Sequence, residues 1–221
     1  MRKTVIIGTG AVAAELTSYI SDNNKFVDEE LKIDLLGYID YEYNLETYWK
    51  KYKLQRPILG DIDTYNFDQQ VDVLIGVSNI NYRNNLITKI ENRGGQIGHF
   101  FHHTAIIPDG ADLGRGNIIY PYCIIGPNSI IGSLNLITSY SCVSHDCILG
   151  NGNVLSSAII AGRVNVNDNN FFGIRSSVIP NISIGSFNTI QAGMIVDKNV
   201  TDNTTVFYRF KEKVMALPKA D

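Results

Sequence analysis

Two stretches of this chain carry residue types that can do chemistry. Ser144-His145-Asp146-Cys147 sets an imidazole directly beside a carboxylate. Imidazole titrates near neutral pH and can take a proton from an amine or a hydroxyl, so His145 is the candidate general base. Asp146 is placed to orient or charge-stabilise the ring, although strand neighbours point to opposite sides, so direct contact requires a corner between them. The second stretch is Lys3-Thr4-Val5-Ile6-Ile7 followed by Gly8-Thr9-Gly10-Ala11-Val12-Ala13. An apolar strand running into Gly8-x-Gly10-x-x-Ala13 lets phosphate groups approach the N-terminus of a helix. Asp40 closes the next apolar run, where a carboxylate can read a ribose or a base. It lies 30 residues beyond Gly10, against about 20 in a dinucleotide fingerprint, so a single nucleoside diphosphate suits the site better than a dinucleotide.

The elements that must position these groups differ between the two halves. In the first half, strands at 3–7, 35–40, 71–77 and 96–101 alternate with helices running to Ile20 and over Tyr82–Asn92. Alternating β and α elements imply a small parallel sheet, short and Rossmann-like, over residues 1–105. In the second half an apolar residue recurs every six positions, from Ile107 through Leu113, Ile119, Ile125, Ile131, Ile137, Val143, Leu149 and Leu155 to Ala161. After one missing residue the series resumes at Phe172 and runs to Val196. A period of six fits short strands separated by tight corners, with the apolar residue and the one two before it pointing inward. Three hexads make an 18-residue triangular coil, so 106–196 forms about five stacked coils. Ile107, Ile125, Val143 and Ala161 would stack in one column. Asn117, Asn135 and Asn153 would form a hydrogen-bonded ladder. Glycine often follows the apolar position, where it would supply the positive φ of a corner. His145, two residues after inward Val143, falls on a corner. Cys123 and Cys147 take the small inward position and Cys142 points outward. The stack needs covering at its ends, and residues 197–221, with the apolar-basic segment 207–217, form the C-terminal cap.

Composition narrows the function. The net charge is −3, and within 106–196 only Asp109, Asp112, Arg115, Asp146, Arg163, Asp168 and Arg175 are charged. That excludes a generally basic nucleic-acid binder. No stretch has the apolar length for membrane insertion, and the N-terminal apolar run is too short for a signal peptide. A soluble cytoplasmic protein is expected. Three cysteines without a CxxC give neither a disulfide framework nor a zinc ribbon. Only one of the four histidines lies in the repeat, so no metal site is expected there.

Both halves together resemble the bacterial nucleotide-sugar N-acetyltransferases of the hexapeptide-repeat, left-handed parallel β-helix family, relatives of the sialic acid O-acetyltransferases. The resemblance covers nearly the whole chain. It is carried by Gly8-Thr9-Gly10, Gly37-Tyr38-Ile39-Asp40, Gly76-Val77-Ser78-Asn79 with Arg83, His103-Thr104-Ala105 and Ser144-His145-Asp146-Cys147. It implies a left-handed coil, acetyl-CoA as cosubstrate, no metal, and direct transfer with His145 as base. It places pantetheine beside Gly162, Gly173-Ile174 and Ala192-Gly193, each glycine being equally a corner residue of the repeat. Arg175 would meet a CoA phosphate or pair with a carboxylate, and Lys198, Arg209, Lys211 and Lys213 would line a basic rim or a solvated cap. Gly8, Gly10 and Asp40 would bind the nucleotide sugar, with Asn79 and Arg83 on its phosphates.

The expected acceptor is the 4-amino group of a nucleotide-linked 4-amino-4,6-dideoxyhexose, GDP-perosamine first and UDP- or dTDP-linked sugars next, in surface-polysaccharide (O-antigen) synthesis. The alternative is a sialic acid-type sugar O-acetyltransferase. A metal-dependent hydratase or a non-catalytic scaffold on the same repeat is weaker. Flat apolar outer faces and the resemblance imply a homotrimer with its sites between subunits. Two departures stand out: Ala11-Val12 where relatives often have Gly-His, and Val154 where they often carry a second histidine.

Overall fold

The computed structural model describes residues 1–41, 44 and 49–208. In the first part, β1 (Arg2–Ile7), β2 (Ile33–Asp40), β3 (Ile58–Asp61), β4 (Asp72–Ile75) and β5 (Gln96–Ile97) form one parallel sheet in the order β3-β2-β1-β4-β5. Helix α1 (Ala11–Asn23) connects β1 to β2, and α2 (Ile80–Asn92) connects β4 to β5. Strand β3 was not foreseen; Ile58-Leu59-Gly60-Asp61 is short and half-buried throughout, so it shows no alternation to read. Asn79 caps α2 by accepting a hydrogen bond from the Tyr82 amide at 2.9 Å.

The second part is a parallel β-solenoid of two-residue strands on three faces. The first face has seven strands, from Phe100–Phe101 through Ile118–Ile119 and Leu136–Ile137 to Thr205–Val206. The second has five, from Ile124–Ile125 to Ile195–Val196, and the third five, from Asp112–Leu113 to Ser183–Ile184. The seven-stranded face thus carries a strand before and a strand after the coils expected over 106–196. The segment 96–101, expected as one strand, is divided: Gln96–Ile97 joins the α/β sheet, and Phe100–Phe101 opens the solenoid face. Beyond Val196, Val200 bridges to Ile184 and Thr205–Val206 pairs with Thr189–Ile190. The rest of the expected cap, with Arg209, Lys211 and Lys213, lies outside the described residues.

The pleating places Ile119, Ile125, Ile131, Ile137, Val143, Leu149 and Leu155 inside, each at most 1% exposed. One column needs correcting. The missing residue falls at the corner Ser156–Ala158, so Val143 pairs with Ile160, and Ile160 takes the place expected of Ala161. The asparagine ladder forms and continues past the expected three rungs. Asn135, Asn153, Asn170 and Asn188 each donate a backbone N–H to the Oδ1 of the asparagine one coil before, at 2.8–2.9 Å.

The corner glycines have a different cause from the one expected. Gly114, Gly126, Gly132, Gly150, Gly162, Gly173 and Gly185 do not have positive φ; the left-handed positions are mostly non-glycine residues such as Tyr122, Asn128, Tyr140, Asp146 and Arg175, with Gly116, Gly152 and Gly193 among them. Glycine is required because the next coil is too close. A Cβ on Gly126 would stand 2.4 Å from the Ser144 carbonyl carbon.

The α/β region packs on the first solenoid face. Outward residues there, Ile118, Leu136 and Val154, are buried in a cluster shared with Ala13, Leu16 and Ile20 of α1. Outward isoleucines on the other two faces, Ile124, Ile130, Ile148, Ile159 and Ile195, remain 42–57% exposed. Among the described residues no helix is long and apolar enough to cross a membrane.

Candidate functional site

His145 sits on the edge between the second and third faces, as its distance from Val143 requires. Asp146 follows with φ 57°, a left-handed turn that swings its side chain back toward its neighbour. Asp146 Oδ2 lies 2.7 Å from His145 Nδ1, so the contact that regular pleating forbids is made by the corner. Its other oxygen accepts from Asn128 Nδ2 at 2.7 Å, one coil earlier. The Asn128 bond first, and the His145 bond second, hold the Asp146 carboxyl below its ordinary range. A carboxylate on Nδ1 places the ring proton there and leaves the Nε2 lone pair outward. Both side chains are close to half exposed, 48% and 43%, so Nε2 is reachable from solvent.

The ring rests on the next coil at Gly162. A Cβ there would lie 2.6 Å from both His145 Cε1 and Nε2. Expected as a cofactor contact or a corner residue of the repeat, Gly162 is the floor under the imidazole. Its N–H makes no hydrogen bond to a described group.

Gly173, Ile174, Arg175, Ala192 and Gly193 gather on a different edge, between the first and second faces, in two consecutive coils. The Gly193 amide donates to the Ile174 carbonyl at 2.9 Å, and Ile174 is 59% exposed. Within one chain this edge and the His145 edge are separated by the second face. Val154 lies on the first face, paired with Leu136 and Phe171 and fully buried, so this position does not reach His145.

The glycine loop, Asp40 and the end of β4 do converge. Gly8, Gly10, Asp40, Tyr52, Val77 and Tyr82 line one pocket at the C-terminal ends of β1, β2 and β4, the usual ligand position on a parallel sheet. Gly8 has φ 99°, and the space where a side chain on Gly10 would stand is empty. Tyr52 and Tyr82 were not foreseen, because nothing in their local sequence marks them.

Two expected contacts look different in three dimensions. Asp40 is 3% exposed, and its carboxylate accepts from Thr9 N, Thr9 Oγ1, Tyr41 N and Asn44 Nδ2 at 2.7–2.9 Å. It shapes the loop from behind. Arg83, expected on a phosphate, is 1% exposed. Its guanidinium donates to the carbonyls of Ile75, Val77 and Leu134 at 2.8–3.2 Å, and burial brings its pKa down to about 10. It ties α2 and β4 to a solenoid corner. Asn79 is exposed and lines a neighbouring groove with Ser78, Asn169, Phe171, Phe187 and Asn188, a lining not foreseen.

Cys123 and Cys147 are buried, and Cys142 is half-buried. Burial raises all three thiols, Cys123 to about 12, so none is a thiolate near neutral pH.

No family model matches the chain. Solved structures do. PerB from Caulobacter crescentus, in complex with CoA and GDP-perosamine, is similar with a TM-score of 0.74 at 23% identity, over 92% of each chain. The acetyltransferase domain of PglB from Neisseria gonorrhoeae, with acetyl coenzyme A, gives 0.74 at 18% identity, over 92% of this chain and 95% of that one. WeeI from Acinetobacter baumannii gives 0.75 at 21%, over 91% and 94%. This chain has their fold. At 91–92% of the chain, the likeness takes in the α/β region and the solenoid together.

Proposed function

We propose that this chain is an acetyl-CoA-dependent N-acetyltransferase acting on the 4-amino group of a nucleotide-linked 4-amino-4,6-dideoxyhexose. GDP-perosamine is the leading acceptor, the ligand with which PerB was solved. The observation that carries this reading is the His145–Asp146 pair at 2.7 Å, exposed on a solenoid edge with the ring over Gly162. The sugar amine attacks the thioester carbonyl carbon; a C–N bond forms and the C–S bond breaks. His145 Nε2 takes the amine proton and returns it to the departing sulfur, giving the amide and free CoA thiol. The unpartnered Gly162 N–H is the donor for the oxygen that gains charge on the way. No acyl-enzyme is needed, which agrees with three protonated thiols. The glycine-loop pocket holds the nucleotide, in a short Rossmann-like α/β domain.

The functional unit in this reading is a homotrimer of left-handed solenoids. The exposed isoleucines flank the His145 edge on both sides, Ile124 and Ile159 on one face and Ile130 and Ile148 on the other. Covering them with neighbouring chains removes a large apolar surface from water. It also brings the edge bearing Gly173, Arg175 and Gly193 of one chain to His145 of another, so that CoA lies between subunits.

Thiol release from acetyl-CoA, measured with GDP-, UDP- and dTDP-linked 4-amino sugars and with hydroxyl acceptors, tests the reading. Turnover of one amino sugar, lowered about a thousandfold in His145→Ala, is expected. Turnover of hydroxyl acceptors alone makes the chain an O-acetyltransferase, and activity that survives His145→Ala removes His145 as the base.

A further inference from the structure

A second cluster of metal-ligating side chains lies away from His145, where α1 meets the first layer of the solenoid. Asp22 is in the last turn of α1, and His102 and His103 follow the opening strand Phe100–Phe101. One ligand atom from each of the three lies within 4.8 Å of the others. His102 is 3% exposed, yet its Nε2 has no hydrogen-bond partner. That atom is 3.5 Å from Asp22 Oδ2. With metal–nitrogen and metal–oxygen bonds near 2.1 Å, two ligands of a tetrahedral ion stand about 3.4 Å apart. The pair is therefore already spaced for a cation between them.

We propose that Asp22, His102 and His103 bind a divalent first-row transition cation, zinc by ligand type, that pins α1 to the solenoid. The His102 ring is held for this. The edges of Tyr19 and Phe100 wall it in at centroid distances of 6.1 and 6.2 Å. Its Nδ1 lies 2.9 Å from Thr104 Oγ1, and that oxygen also accepts from the Tyr122 amide. His102 Nδ1 accepts from the Thr104 amide at 3.3 Å, and binding of a cation at Nε2 would move the ring proton to Nδ1, where Thr104 Oγ1 can accept it.

His103 is exposed; its ring stacks on Phe26 with centroids 4.6 Å apart and lies 4.4 Å from the His102 ring. Its backbone N–H is fixed to Asn23 Oδ1 at 2.7 Å, which keeps the residue beside the helix end. Asp22 stands at the negative end of the α1 dipole, a place that favours a cation. α1 has no basic residue in its last turn. Lys25, just beyond, takes the other oxygen, Oδ1, at 3.3 Å and leaves Oδ2 to the site. Two imidazoles and one carboxylate suit zinc or nickel better than magnesium or calcium. The fourth position opens to water. The role is structural and independent of acetyl transfer.

The test uses the full chain, stripped with a chelator and then titrated with Zn2+ by calorimetry. The expected result is one Zn2+ per chain, with affinity falling at least about tenfold in His103→Ala and in Asp22→Asn. Zn2+ should raise the melting temperature of the parent protein and not of the variants. Co2+ in place of Zn2+ should give the visible band of a four-coordinate site without thiolate charge transfer, because no cysteine takes part. His103→Gln serves as a second variant should the alanine form fold poorly. Absence of uptake overturns the proposal and leaves a plain His102–Asp22 pair. Uptake unchanged in both variants, or a thiolate band with Co2+, places the ion elsewhere and overturns it equally.

Discussion

In the α/β region the carboxylate of Asp40 accepts four hydrogen bonds from Thr9, Tyr41 and Asn44, and the guanidinium of Arg83 donates to three carbonyls. On the solenoid edge Asp146 makes one bond per oxygen, and its partner His145 keeps a nitrogen facing water. The first region uses its charged side chains to hold loops and helices in place, and its pocket is lined by the glycine loop with Val12, Val77, Tyr52 and Tyr82. The second gets its rigidity from inward apolar residues and an asparagine ladder, so the His145–Asp146 pair stands on its edge without a structural task. A polar residue in a motif is thus a reactive group only where the surrounding frame does not already need it.

That contrast can be broken by substitution. Arg83→Ala should have the largest effect, a loss of about 3 kcal/mol of stability, because three buried carbonyls lose a charged donor; urea unfolding measures it. A phosphate-binding role would instead appear as a raised KM for the acceptor at unchanged stability. Gly162→Ala should lower kcat/KM about a hundredfold, since the added methyl pushes the imidazole off its seat. Its melting temperature should move little, and a silent Gly162→Ala would separate the glycine from the ring. Asp40→Asn should cost about 2 kcal/mol by turning one acceptor of a saturated set into a donor, visible as a lower melting temperature. Asp146→Asn should be the mildest, about a tenfold fall in kcat/KM with the fold intact. The Asp146 carboxyl is held below its ordinary range by Asn128 and then His145. Its contribution to the folded state is complete above an ordinary aspartate value of about 3.9 and is lost only as pH falls through the lowered one. The parent and Asp146→Asn should therefore differ in melting temperature by the same amount from pH 8 to pH 5, and less in stronger acid.

Much of this was legible in the residues. The hexad positions foretold which side chains are inside, because pleating ties position to direction. The corner place of His145 followed from its distance to Val143. Other features depend on contacts between coils and left no local trace. Gly162 looks like any corner glycine until the ring one coil earlier is seen above it. Arg83 follows the motif-bearing Gly76-Val77-Ser78-Asn79, so its sequence context suggested a ligand, while its length lets it reach Leu134, 51 residues on. The α1 cluster was invisible for the same reason: Asp22 and His103 are far apart in the chain.

The shortened corner at Ser156–Ala158 has a wider consequence. One residue is gone, yet the Asn153–Asn170 bond is 2.8 Å, as long as the Asn117–Asn135 bond before it. Each layer senses only the layers that touch it. A length change absorbed at a corner is therefore forgotten one turn later. Such a chain can acquire or shed corner residues, and whole decorations with them, while every older layer keeps its place. The edges of the prism are where its lineage can experiment, and one of those edges carries His145.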